Sequence, residues 1–173
     1  MNPEKIQFNN EKLKEAILFL LSQSPNNTIE GKKKLAKLLY FADFNSFEAF
    51  ERPITGATYR ALPMGPVPDE LDRVIKELRK GPISISEKDI GLPNEMVVFA
   101  LKTTKDNFIF KTLSKDDQRI LRKVYADYGN LSGTDLEHIT HTEAPYNAVT
   151  RGEYIPYELS FYRAKTKSEL VGA

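Results

Sequence analysis

The 173-residue chain predicts an α+β fold, predominantly α-helical with a small antiparallel β-sheet, in a single compact domain spanning 1–173. Three observations carry that expectation. Apolar residues recur at helical spacing along most of the chain. Short β-prone runs cluster between residues 57 and 111. No internal repeat, low-complexity stretch or linker divides the chain, and a domain of this length can bury roughly 70% of its unfolded surface.

Residues 10–23 read as an amphipathic helix with Leu13, Ile17, Leu20 and Leu21 on one face, ended by Ser24-Pro25-Asn26-Asn27. Thr28 is expected to cap a second helix running to about Phe50. Its stripe of Leu35, Leu38, Leu39 and Ala42 is widened by Tyr40, Phe41, Phe44 and Phe47, which places this helix at the centre of its domain. Asp43 falls on the apolar face, where a carboxylate is costly unless paired or hydrogen-bonded, and an ion pair with Arg52 or Arg60 is expected. Residues 52–56 form a turn and 57–62 a strand.

Leu62-Pro63-Met64-Gly65-Pro66-Val67-Pro68 is stiffened by its prolines and has few backbone donors, so no strand is expected to run through it. It reads either as a rigid connector or as a preformed ledge that docks a partner at low ordering cost. Pro68 suits the first position of a helix whose face is Leu71, Val74, Ile75 and Leu78, with Asp69 and Glu70 complementing the dipole. Arg79-Lys80-Gly81-Pro82 stops it. Residues 83–85, 96–101 and 108–110 are expected strands that pair with 57–62, with Asp106-Asn107 as a turn. Ser114-x-x-Asp117 resembles a capping box ahead of the stripe Ile120, Leu121, Val124, Tyr125 and Tyr128. Ser132 caps a helix to about His141, with Leu131 and Leu136 set as a hydrophobic staple. Pro145 opens a short helix, Pro156 breaks any regular element near the C-terminus, and the polar tail 165–173 is expected to be flexible.

Charge and motifs narrow the function. Basic and acidic residues nearly balance, 25 against 24, and are interspersed. A nucleic-acid partner is not expected, since phosphate binding calls for a concentrated basic face. Lys32-Lys33-Lys34, with Lys37 nearby, is the one basic cluster and reads as a solvated helix end. The absence of Cys removes disulfides, thiolate nucleophiles and Cys-ligated zinc. The polar N-terminus and the short apolar run 16–21 predict no membrane span, which needs about 20 residues, and a cytoplasmic protein. No G-x-S-x-G elbow, phosphate-binding loop or dinucleotide fingerprint is present. His138 and His141, with Glu137 and Glu143 nearby, could hold a metal but lack an evident third ligand; one His anchoring a helix end and the other solvated is the better reading. No enzyme, catalytic residue, metal or cofactor is expected.

The ordered motifs Lys34-Leu35-x-Lys37-Leu38-Leu39-Tyr40-Phe41-Ala42-Asp43-Phe44, Arg52-Pro53-Ile54-Thr55-Gly56 and Tyr59-x-Ala61-Leu62-Pro63-x-Gly65-Pro66-Val67-Pro68 resemble the Panacea, or SocA-like, antitoxin domain of bacteria and phages. Gly129-x-Leu131-Ser132 and Leu136-x-x-Ile139-Thr140-His141-x-Glu143-x-Pro145-Tyr146 continue the likeness, which covers about residues 10–150. Family motifs often carry Trp where Tyr146 stands, and the helix-turn-helix appended in many members has no counterpart in the single helix of residues 1–28. The resemblance implies a type II antitoxin that binds and neutralises a cognate protein toxin. Alternatives are an adaptor delivering the toxin to a cytosolic ATP-dependent protease, or a phage-associated host-interaction protein. Partner contacts are expected at Leu62, Pro63, Met64, Gly65, Pro66, His141, Pro145 and Tyr146, where aromatic and Pro groups suit a compact hot spot. Tyr40, Phe41, Asp43, Gly56 and Tyr59 are expected to be structural motif residues.

Overall fold

A computed structural model of the chain describes residues 5–89, 95–102 and 108–172. In chain order it holds α1 (Asn10–Gln23), β1 (Thr28–Glu30), α2 (Lys32–Phe50), β2 (Tyr59–Leu62), β3 (Gly65–Pro68), α3 (Leu71–Arg79), β4 (Ile83–Asp89), β5 (Glu95–Leu101), α4 (Lys115–Tyr128), α5 (Gly133–Thr142), α6 (Ala144–Asn147), a 3₁₀ helix (Tyr157–Arg163) and α7 (Lys167–Val171). The fold is α+β, mostly helical, with a small antiparallel sheet.

Every residue from Leu35 to Phe47 is buried. A helix apolar on most sides can be stable only when surrounded, and α2 is packed by α1, α4, α5, α7, β3 and the 3₁₀ helix. The capping signals act where they stand: Ser114 with Asp117 opens α4, and Ser132 with Asp135 opens α5, each as a reciprocal capping box. Asp117 also accepts ion pairs from Lys12 at 2.8 Å and Arg52 at 3.0 Å, so one carboxylate ties α4 to α1 and to the end of α2.

The sheet has the order β1-β5-β4, all antiparallel. Thr28, expected as a helix cap, is instead the first residue of β1 and faces Ala100. Pairing with β5 uses the backbone that a helix would have needed, and Gly31 at φ +91°, donating its N–H to Val97 at 2.7 Å, makes the corner before α2. The 57–62 strand does not join this sheet. Its core, β2, pairs with β3 in a separate hairpin: Tyr59 faces Pro68, Arg60 faces Val67, Ala61 faces Pro66 and Leu62 faces Gly65.

A strand therefore does run through the proline segment. Tyr59 and Ala61 direct their backbone groups to the other side: Ala61 N–H donates to Glu153 at 2.9 Å, and Gly152 and Ile155 N–H groups donate to Ala61 and Tyr59 at 2.7 and 2.9 Å. Pro66 and Pro68 stand opposite these two residues, where no ladder hydrogen bond is required of them. Pro68 ends β3 rather than opening α3, which starts at Leu71.

Residues 108–110 form no strand either. Phe110 meets Phe19 edge-on with centroids 5.2 Å apart. The adjoining N–H groups of Lys111, Thr112 and Leu113 all donate to the Glu15 carboxylate at 2.9–3.1 Å, so a side chain replaces a strand partner. The Asp106-Asn107 turn lies outside the described residues. The tail also differs from expectation. Thr166 and Glu169 form a capping box for α7, and Leu170 and Val171 are buried where α7 meets α2 and α4.

Candidate protein-binding surface

The β2–β3 hairpin is seated by the lysine that a linear reading groups with the basic cluster. Lys37 is fully buried and donates to the Pro66 carbonyl at 3.0 Å. Burial lowers its ammonium to about 8, partly offset by Glu137. Gly65 lies directly over it at φ +98°. Lys37 precedes Phe41 by four and Phe44 by seven, so helical spacing marks it as facing inward. The remaining lysines of the cluster are also engaged: Lys32 with Asp72 and Lys33 with Glu137, both at 2.6 Å, and Lys34 with the Gly129 carbonyl at 2.5 Å.

The two segments expected to bind a partner are brought together. Tyr146 donates its hydroxyl to the Leu62 carbonyl at 2.7 Å, and its ring stacks on His141 with centroids 4.7 Å apart. Pro63 and Met64 form the exposed turn of the hairpin, with Met64 57% exposed. Leu62, His141 and Tyr146 are half-buried. Gly65, Pro66 and Pro145 are buried, so they hold this surface in place from behind. His138 is exposed on α5. Among the described residues no group of three His, Asp or Glu side chains could hold a metal.

Behind the hairpin lies a fully buried acid. Asp43 accepts hydrogen bonds from the Thr55 N–H at 2.7 Å, the Thr55 hydroxyl at 2.5 Å and the Tyr59 hydroxyl at 2.7 Å. The expected arginines are elsewhere, Arg52 on Asp117 and Arg60 on Asp69, so neutral donors replace the ion pair. Burial lifts the Asp43 carboxyl to about 6 against the opposing pull of those hydrogen bonds. Tyr40, Phe41 and Tyr59 are buried beside it in one aromatic cluster. Gly56, at φ +69°, leaves no room for a side chain: an added Cβ would collide with the Gln7 carbonyl.

A second buried cluster lacks any local sequence signal. Arg163 donates to Glu48 at 2.8 Å, to Asn45 at 3.0 Å and to Glu143 at 3.3 Å. Glu143 also accepts from the Tyr40 hydroxyl at 2.9 Å and from Lys165 at 3.2 Å. The C-terminal segment is thereby tied to α2 and to the start of α6. Two clefts, of about 290 and 330 Å³, lie elsewhere and include none of the expected site residues.

These buried motifs and the seated hairpin fall inside the span, residues 35–146, that matches the model of the antitoxin SocA-like, Panacea domain family. The chain belongs to this family. Among curated proteins and solved structures, nothing matches it. The Panacea span contains the Asp43 cluster, the hairpin and the His141–Tyr146 stack. Arg163 comes from beyond that span and completes the environment of Glu143 within it. No described helix is long and apolar enough to cross a membrane.

Proposed function

We propose that this protein is the antitoxin of a type II toxin–antitoxin pair, acting in the cytoplasm by binding its cognate toxin and covering the toxin's active or substrate-binding surface. The observation that carries the reading is membership of the antitoxin family across residues 35–146. The surface supports it. Pro63, Met64, Leu62, His141 and Tyr146 present apolar and aromatic groups on a turn whose position is held by Lys37 below and Tyr146 beside it. Such a surface loses little entropy when it docks.

The test is co-expression of the adjacent reading frame with and without this protein. Growth arrest by the neighbour, relieved by this chain, together with a stable complex of the two, is the expected result. A harmless neighbour that forms no complex sinks the proposal. Met64→Asp places a charge at the exposed tip and is expected to weaken binding without unfolding the domain.

A further inference from the structure

Resting on the antitoxin reading, we infer that the anchor of toxin binding is not the hairpin tip but an Arg60–Tyr154 pair on the hairpin's outer face. The pair takes an uncharged apolar or aromatic protrusion of the partner protein. Alternation along β2 turns Tyr59 and Ala61 inward, leaving Arg60 and Leu62 outward, and the register sets Val67 of β3 beside Arg60. On the other edge, Tyr154 bridges Arg60. Val67, Arg60 and Tyr154 thus form a row across three neighbouring strand segments, with Leu62 and Met64 continuing it to the tip.

Two features distinguish this row from an ordinary exposed patch. The first is rigidity. Arg60 donates to both Asp69 carboxylate oxygens at 3.0 and 3.2 Å, to the Gly152 carbonyl at 2.7 Å and to the Tyr154 hydroxyl, with its guanidinium 4.1 Å from the Tyr154 ring centroid. Arginine is normally costly to immobilise, but these contacts already hold Arg60 against Tyr154 before any partner arrives. The second is charge. The Arg60 guanidinium is matched by Asp69 within the chain, so the row carries aromatic and aliphatic surface with no uncompensated charge at its centre. A strongly ionic partner would gain nothing there. The composition is that of an interface core, rich in Tyr, Arg and Met. Tyr154 nevertheless stays 51% exposed, and its hydroxyl, which accepts from Arg60, keeps a proton to donate to an acceptor on the partner.

The experiment measures the dissociation constant of the purified full-length protein for the product of the adjacent reading frame. Tyr154→Ala is expected to weaken binding roughly 30-fold or more, the loss typical of a hot spot. Tyr162→Ala removes a more exposed aromatic, 76% accessible, outside the row and is expected to leave affinity within about threefold. Circular dichroism and the melting temperature of Tyr154→Ala should match the parent protein. Affinity should also change little with salt, because the row is neutral. A complex that forms and survives Tyr154→Ala overturns this inference alone. Equal losses from both variants, or steep salt dependence, also overturn it. Absence of any complex with the unaltered protein overturns the antitoxin reading, and this inference with it.

Discussion

Gly65→Ala places the smallest possible side chain against the lysine that seats the hairpin. The added Cβ would lie 2.5 Å from Lys37 Cε, 2.8 Å from Thr140 Oγ1 and 3.1 Å from Lys37 Nζ, at a backbone φ of +98°. The left-handed conformation alone costs a non-glycine residue about 1–2 kcal/mol. The overlap adds about 1–3 kcal/mol, because Lys37 is wholly buried, bonded to Pro66 and has no open space into which to swing. Together they destabilise by about 2–5 kcal/mol, which lowers the melting temperature by roughly 4–20 °C in a domain of this size. Gly152→Ala is the matched control: its φ is +90°, but nothing lies within 4 Å of the added Cβ, so only the conformational cost applies. Urea unfolding of the two variants compares them directly. Equal shifts in midpoint would refute the claim that Lys37 and Gly65 are packed as a unit.

Three other perturbations probe the interior. Asp43 holds its proton in the folded state up to about pH 6, whereas the unfolded carboxyl releases it near 3.8. Its favourable contribution is therefore complete below pH 3.8 and is lost as pH rises through 6, by at most about 3 kcal/mol. Denaturation of Asp43→Asn and the parent protein across that range should show a stability difference that drifts with pH, and a constant difference would sink the assignment. Arg163→Met leaves Glu48 and Glu143 buried without their guanidinium and should cost about 3–5 kcal/mol by urea unfolding at neutral pH; a loss below about 1 kcal/mol would mean the cluster is already satisfied. Leu170→Ala should cost about 2–5 kcal/mol if α7 is docked as described, against less than about 0.5 kcal/mol for a frayed tail.

The helices are legible in the sequence because their signals are short-range. The stripe of α2, the Ser114 and Ser132 caps and the end of α1 all depend on residues within a few positions of one another. The cap of α7 carries the same kind of signal, Thr166-x-x-Glu169, in a tail whose polar composition masks it. The hairpin escapes a linear reading for a different reason. Counting prolines measures how many donors a strand lacks, but not whether those positions face a partner, and that depends on where residues 152–155 lie. The candidate surface is half visible. Its aromatic and proline residues stand out, while Arg60 and Tyr154, 94 positions apart, resemble any other surface pair along the chain.

Periodicity and capping are properties of neighbouring residues, so the helical scaffold, the central place of α2 and the burial of Asp43 are already written in the residue order. Which groups answer the buried charges emerges from the folded chain alone: Thr55 and Tyr59 for Asp43, the Pro66 carbonyl for Lys37, and Arg163 for Glu48 and Glu143. A buried charge requires some partner, but many residues in the chain could serve. The choice among them belongs to the path of the backbone, which brings Arg163 to Glu48 across 115 positions.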